Sequence, residues 1–117
     1  MRILLADNQT RVRFALRTLL DQQPGLIVVG EAGETGDTLS QVEAVHPDLV
    51  LLDWDLRGSV LELLPALYHM CPALKVIALS ARPELRSAIL AAGADAFVSK
   101  TDPPERLLEA IWETSAR

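Results

Sequence analysis

Short apolar segments alternate with longer stretches of helical periodicity along the whole chain. Five segments of three or four residues are almost continuously apolar, as expected for strands of a parallel sheet that are buried on both faces. Their length and their β-branched residues favour strands over buried helices. The predicted strands are residues 3–6, 26–29, 49–52, 76–79 and 96–98.

Apolar residues at helical spacing lie between and after these segments, so each predicted strand is followed by a predicted helix. Strict alternation of strands and helices is typical of a parallel sheet with helices on both faces. Because crossovers are right-handed, few topologies remain, and we expect a flavodoxin-like α/β fold with strand order 2-1-3-4-5 and five helices. The stripes that define the helices include Val12, Ala15, Leu16 and Leu19; Leu39 and Val42; Leu85, Ala88, Ile89 and Ala92; and Leu107, Leu108 and Ile111.

Several residues predict where helices begin and end. Ser59 and Glu62 have the spacing of a capping box at the start of the third helix, and Pro65 is expected to distort that helix. Gly93 is placed to end the fourth helix in a left-handed conformation. Asp102 is predicted to cap the fifth helix, with Pro103 at its first position.

Composition limits the class of protein. The chain has 117 residues, of which 50% are hydrophobic and 23% charged, which fits one globular domain over residues 1–117 with no separate output domain. Its net charge of −5 argues against nucleic-acid contact by this domain, and no apolar run is long enough to cross a membrane. We expect a cytoplasmic protein, because the single Cys71 excludes an internal disulfide and a cysteine-based zinc cluster. Cys71, with no histidine partner nearby in the sequence, is expected to be an inert buried thiol, and His46 and His69 to be structural.

Polar side chains follow four of the predicted strands. Asp7 and Asn8 come after the first strand, Asp53 after the third, Ser80 after the fourth and Lys100 after the fifth. The carboxyl ends of parallel strands meet at one edge of such a sheet, where ligands bind. Carboxylate oxygens suit Mg²⁺, and a carboxylate can also act as a nucleophile towards phosphorus. A lysine and a hydroxyl can neutralise charge on phosphoryl oxygens during transfer.

These segments, in this order, resemble the receiver domain of two-component response regulators, over nearly the whole chain. The later part also resembles the subfamily whose output domain is a helix-turn-helix DNA-binding domain. The matching segments are Ala6-Asp7-Asn8, Leu51-Leu52-Asp53, Ala78-Leu79-Ser80-Ala81, Ala91-Ala92-Gly93-Ala94, Phe97-Val98-Ser99-Lys100 and, for the subfamily, Asp102-Pro103-Pro104-Glu105-Arg106-Leu107-Leu108.

The resemblance implies a phosphorelay protein that accepts a phosphoryl group from a sensor histidine kinase and passes the signal to an output domain. Such a protein is an acceptor rather than an enzyme, apart from weak autodephosphorylation, and can form a homodimer. The implied roles are Asp53 as phosphoacceptor, Asp7, Asn8, Asp53 and the backbone carbonyl of Asp55 as Mg²⁺ ligands, Ser80 and Lys100 as phosphoryl contacts, and Phe97 as the switch residue.

The sequence departs from the family pattern at Asn8, in the loop after Asp53 and at Thr101, which follows Lys100 where many relatives have proline. Asn8 stands where relatives have a second acid, so we expect Mg²⁺ binding to be weaker by about 1–3 kcal/mol. The loop after Asp53 is unusual, and its Arg57 is expected to reach back towards Asp53 or Asp7. Phe97 has no hydroxyl, so it can stay permanently inside the core.

Other interpretations remain open at this point. Asp7 and Asn8 can simply cap the first helix, since both are good N-cap residues. The chain can also be a pseudo-receiver, a protein-interaction module with this fold that works without phosphorylation. A small flavin- or phosphate-binding enzyme on the same architecture is disfavoured, because no glycine-rich phosphate loop follows the first strand.

Overall fold

The computed structural model describes all residues, 1–117. The strands pair in parallel, in the order β2-β1-β3-β4-β5, which confirms the predicted doubly wound fold. A short 3₁₀ turn, Pro83–Leu85, comes directly before the fourth helix. The elements are β1 (Arg2–Ala6), α1 (Thr10–Asp21), β2 (Ile27–Ala32), α2 (Thr35–Val45), β3 (Leu49–Asp53), α3 (Val60–Met70), β4 (Lys75–Ser80), α4 (Arg86–Ala91), β5 (Ala96–Ser99) and α5 (Pro104–Ser115).

Helices cover both faces of the sheet and create two hydrophobic cores. Within β1, Ile3 and Leu5 belong to the core beneath α1 and α5, whereas Leu4 and Ala6 belong to the core beneath α2, α3 and α4. All four side chains are at most 1% exposed. Burying a leucine or isoleucine side chain stabilises a fold by roughly 2 kcal/mol, which explains why the central strands are apolar at consecutive positions.

The edge strand β2 differs from the sequence prediction. It pairs only with β1, and its Ile27 is 56% exposed. It also continues past the apolar run through Glu31 to Ala32. The prediction that every strand is buried on both faces is therefore wrong for β2, because an edge strand lacks a second neighbour and is only partly covered by helices.

The start of α3 and the turn after α4 follow the predicted chemistry. The Ser59 hydroxyl oxygen accepts a hydrogen bond from the backbone N–H of Glu62 at 3.3 Å, which confirms Ser59 as the N-cap. The reciprocal bond of a full capping box, from the backbone N–H of Ser59 to the Glu62 side chain, is not formed. Gly93 has φ +115°, the left-handed conformation expected there. Pro65 lies inside α3, yet the helix continues to Met70.

Helix α5 begins one residue later than the sequence predicts. Asp102 does not cap the helix, because its carboxylate accepts the backbone N–H of Ser99 at 3.1 Å. Pro103 instead precedes the helix in extended conformation, and Pro104 occupies the first helical position. The aspartate therefore closes the turn that leads out of β5, next to Lys100.

Cys71 is not buried, contrary to the prediction from the sequence. Its side chain is partly exposed, and its Sγ lies 4.0 Å from His46 Nδ1. The two residues end neighbouring helices, α2 and α3, at the edge of the sheet opposite the strand carboxyl ends, so only the tertiary structure brings them together.

No helix has the length and apolar character needed to cross a membrane.

Candidate functional site

Three of the predicted site residues form one charged cluster. Asp7 follows β1, Asp53 is the last residue of β3, and Lys100 follows β5. The ammonium of Lys100 lies 3.0 Å from Asp7 Oδ2 and 3.2 Å from Asp53 Oδ1. Both aspartates are nearly inaccessible to solvent, at 1% and 2% exposure. One partly exposed cation, with 25% of its side chain exposed, is thus shared by two buried anions.

Asp7 is held from four directions. Its backbone N–H donates to Ala32 of β2 at 3.0 Å, its Oδ1 accepts the N–H of Gln9 at 2.8 Å, and its carbonyl accepts a hydrogen bond from Arg13. Lys100 binds the remaining oxygen, Oδ2. The Gln9 contact is an Asx turn, and α1 begins at Thr10 without a side-chain cap. The interpretation of Asp7 and Asn8 as simple helix caps is therefore wrong.

Asp53 has one engaged and one free oxygen. Its Oδ1 accepts the backbone N–H of Asp55 at 3.0 Å and binds Lys100, whereas no protein group donates to Oδ2. Among side-chain oxygens and nitrogens that solvent cannot reach, only Thr114 Oγ1 lacks a hydrogen-bond partner. Because Asp53 Oδ2 also lacks a partner but is not such an atom, it must be accessible to solvent. The free oxygen is available to a metal ion or to an incoming electrophile.

Burial is the largest single influence on the pKa of both Asp53 and Lys100. Burial raises the pKa of Asp53, and the negative charge of Asp7 adds to this, although the Asp55 N–H and Lys100 oppose it. Burial works against the ammonium of Lys100, but the hydrogen bond that it donates to Asp7 and the negative charge of Asp53 outweigh burial and raise the pKa of Lys100. Lys100 is therefore held in its protonated form. The two carboxylates still leave the cluster with an excess of negative charge, which favours binding of a further cation.

Ser80 is the last residue of β4, and Phe97 lies inside β5, three residues before Lys100. Ser80 is fully buried, and its hydroxyl oxygen accepts the N–H of Arg82 at 3.0 Å, which leaves its hydroxyl hydrogen without an acceptor in the chain. The backbone of Lys100 donates to the carbonyl of Ser80 at 2.8 Å. Phe97 is 5% exposed and belongs to the core beneath α2, α3 and α4, so its ring already occupies an inward position.

Asn8 and Asp55 lie at the exposed rim. Asn8 is solvent-exposed, and its side chain makes no hydrogen bond within the chain. Asp55 pairs with Arg82 at 3.0 Å, but both side chains are more than half exposed, so the pair contributes about 1 kcal/mol or less. The Asp55 side chain thus pairs with Arg82 at the surface, while its backbone N–H donates to the carboxylate of Asp53.

The structure contradicts the role expected for Arg57. Arg57 forms no ion pair with Asp53 or Asp7; Lys100 is the cation that contacts both. The backbone of Arg57 is instead tied to the start of α2, where its carbonyl accepts the N–H of Thr35 at 2.9 Å. Gly58 follows with φ +97°, and a Cβ there would lie only 2.0 Å from the Thr35 hydroxyl. This close packing fixes the loop away from the acidic cluster.

The donor set fits a hard divalent cation. The chain has no group of three or more acidic, histidine or cysteine side chains placed to hold a metal, so an ion at this edge would depend on oxygens of other kinds as well. The carboxylates of Asp7 and Asp53, the exposed amide of Asn8 and the carbonyl of Asp55 are oxygen donors of the type that Mg²⁺ prefers. Few charged ligands and an already bound lysine both argue for modest affinity.

Sequence reasoning missed a second charged group beside the cluster. Arg13 and Arg17 of α1 both bind Glu31 of β2, at 2.9 and 2.8 Å. Burial would raise the pKa of Glu31, but the hydrogen bonds from Arg17 and Arg13 hold it below its usual value. The available signals were two arginines at i, i+4 spacing and a glutamate just after an apolar strand. Only the pairing of β2 with β1 makes them neighbours.

Comparison with known proteins agrees with this geometry. The model of the response regulator receiver domain matches residues 3–112. The transcriptional activator protein ExaE of Pseudomonas putida is 39% identical over 115 residues, which cover 95% of this chain and 53% of that protein. The nitrate/nitrite response regulator protein NarP of Escherichia coli is 33% identical over 112 residues, or 93% of this chain and 52% of NarP. The chain thus spans about half the length of these curated relatives.

A solved structure has the same fold. The crystal structure of a LuxR-family two-component response regulator from Aurantimonas superposes with a TM-score of 0.90 at 28% identity, and the match covers 99% of this chain and 86% of that one.

Proposed function

The chain belongs to the response regulator receiver domain family, and from this membership we propose that Asp53 accepts a phosphoryl group from a phosphohistidine donor. The observation that most supports Asp53 is its asymmetric environment. Oδ1 is held by Lys100 and by the N–H of Asp55, whereas Oδ2 has no partner in the chain and reaches solvent. A carboxylate fixed by one oxygen presents the other to an incoming phosphorus atom.

In the proposed transfer, Asp53 Oδ2 forms the new O–P bond while the N–P bond of the donor imidazole breaks. The released imidazole nitrogen takes up a proton from solvent. Lys100 neutralises charge on the phosphoryl oxygens, and Ser80 donates its uncommitted hydroxyl hydrogen to one of them. The domain is the acceptor in this exchange, with a sensor histidine kinase as the donor.

Receiver domains generally bind Mg²⁺ in their acidic pocket, and a bound Mg²⁺ neutralises charge on the transferring group. We assign its ligands in this chain to Asp7, Asn8, Asp53 and the carbonyl of Asp55. Asn8 contributes an amide where a carboxylate would contribute a full charge, so the affinity is expected to be lower by about 1–3 kcal/mol.

The proposed output is transcriptional. ExaE is named as a transcriptional activator, and the chain matches about half of its length, so we propose that this domain acts with a helix-turn-helix output domain and signals through α4, β5 and α5. We include homodimerisation in the same proposal. Phe97 is the proposed switch residue of the domain.

A phosphorylation-independent pseudo-receiver is the second candidate, and two observations favour it. Lys100 bridges the two carboxylates, and Phe97 lies inside the core. Such a chain would hold one conformation and serve as a protein-binding module.

A metal titration separates the two candidates. A Trp112→Phe background leaves Trp54, directly after Asp53, as the only tryptophan, and Mg²⁺ is added with and without beryllofluoride while its fluorescence is followed. The phosphoacceptor proposal expects a saturable response that beryllofluoride enhances and that Asp53→Ala abolishes. No response up to tens of millimolar Mg²⁺ would instead support the pseudo-receiver.

A further inference from the structure

The peptide that joins Asp7 to Asn8 has a single hydrogen bond to the rest of the chain. Its carbonyl, on Asp7, accepts from the Arg13 guanidinium, and its N–H, on Asn8, has no acceptor. The Asn8 side chain is exposed and makes no hydrogen bond. The position of Asn8 relative to Asp7 therefore depends on the Arg13 contact, which holds the peptide itself, and on the Asx turn from Asp7 Oδ1 to the N–H of Gln9.

Arg13 is itself firmly held. Its Nε donates to Glu31 at 2.9 Å, and a further contact of 3.3 Å reaches the Thr10 hydroxyl. The Arg13 side chain is only 17% exposed. A guanidinium has donors in a fixed fork, so one group can bind a carboxylate and a carbonyl together. Arg13 thereby connects the edge strand to the loop that follows β1.

Arg17 makes a natural comparison. It binds the other oxygen of Glu31 at 2.8 Å, and its side chain is 38% exposed. No hydrogen bond joins Arg17 to Asp7 or to its neighbours. The two arginines thus share one anion and one helix, and only Arg13 reaches the loop with the candidate metal ligands.

We propose that Arg13 is a positioning residue for the metal site: it orients the Asp7–Asn8 peptide so that the Asp7 carboxylate and the Asn8 amide face the same ion. This inference rests on the proposed metal-assisted function. Outer-shell partners of this type typically affect metal affinity by about 10- to 100-fold.

The test compares Arg13→Ala with Arg17→Ala, both in the Trp112→Phe background and titrated with Mg²⁺ alone. Each variant removes one cation from Glu31, so general weakening of the ion-pair group affects both. Arg13→Ala is expected to weaken Mg²⁺ binding by about tenfold or more, and Arg17→Ala by less than about twofold. Equal losses in the two variants, or no loss in Arg13→Ala, would overturn the proposal.

A metal-free measurement keeps this inference separate from the proposed function. The ¹H–¹⁵N heteronuclear NOE of the Asn8 amide reports fast motion of the peptide that Arg13 holds. It is expected to fall in Arg13→Ala and to keep its wild-type value in Arg17→Ala; an unchanged value in Arg13→Ala would refute positioning by Arg13. If wild-type protein does not respond to Mg²⁺, the metal-dependent function fails, and the NOE alone decides whether Arg13 orders this loop.

Discussion

Replacing Asp53 with asparagine is expected to stabilise the fold at neutral pH when divalent metals are absent. Asp53 and Asp7 are 2% and 1% exposed, and Lys100 is the only cation within ion-pair distance of either carboxylate. The wild-type cluster therefore contains two buried negative charges and one positive charge. Asp53→Asn leaves a balanced pair of Asp7 and Lys100, and the asparagine oxygen can still accept the N–H of Asp55.

The magnitude follows from the contact distances. Both carboxylate oxygens lie within 3.2 Å of the same ammonium nitrogen. At an effective dielectric constant of about 20, two like charges about 6 Å apart repel by about 3 kcal/mol, and the lost attraction between Asp53 and Lys100 is about 5 kcal/mol. Removing the buried charge also recovers a desolvation penalty of several kcal/mol. We expect the free energy of unfolding to rise by about 1 kcal/mol.

Urea unfolding in EDTA between about pH 4 and pH 8 measures this effect. Burial, reinforced by Asp7, raises the pKa of Asp53 in the folded state, so the folded protein binds the proton more tightly than the unfolded chain. This contribution is present at low pH and is lost as pH rises from about 4 through the raised pKa. Asp53→Asn should lack that decline.

Asp55→Asn is the matched control for this experiment. It makes the same chemical change two residues away, on a side chain that is 57% exposed and paired with Arg82. Its expected effect is within about 0.5 kcal/mol at all pH values. The reasoning fails if Asp53→Asn is less stable than wild type at neutral pH, or if it keeps the full pH dependence of the wild type.

Three further predictions concern separate features of the chain. Asn8→Asp should tighten Mg²⁺ binding by about 5- to 150-fold in a fluorescence titration; an unchanged affinity would mean that residue 8 does not touch the metal. Tyr68→Phe should lower the free energy of unfolding by about 1–2 kcal/mol in urea, because the hydroxyl donates to Asp95 at 2.6 Å; a neutral effect would show that this contact is dispensable. Gly58→Ala should lower the free energy of unfolding by about 2 kcal/mol or more in thermal unfolding, because φ is +97° and a Cβ would lie 2.0 Å from the Thr35 hydroxyl; wild-type stability would indicate that the loop can rearrange.

The sequence alone was sufficient for the architecture. Continuous apolar runs identify central strands, because a strand covered on both faces cannot alternate with polar residues. The positions of Asp7, Asp53, Ser80 and Lys100 at strand ends follow directly, since parallel strands place their carboxyl ends at one edge. The strands, the helices and the candidate site residues can therefore be predicted from local sequence patterns and from the rule that parallel strands place their carboxyl ends at one edge of the sheet.

The tertiary structure decided which charges meet. Lys100, rather than Arg57, reaches both aspartates, because the backbone of Arg57 is tied to the start of α2. Arg13 meets Asp7 only because Glu31 lies on the strand that pairs with β1. Side-chain partners depend on distances of a few ångströms between elements far apart in sequence. A pattern along the chain places a residue at an edge or on a face, but packing between elements determines what it contacts.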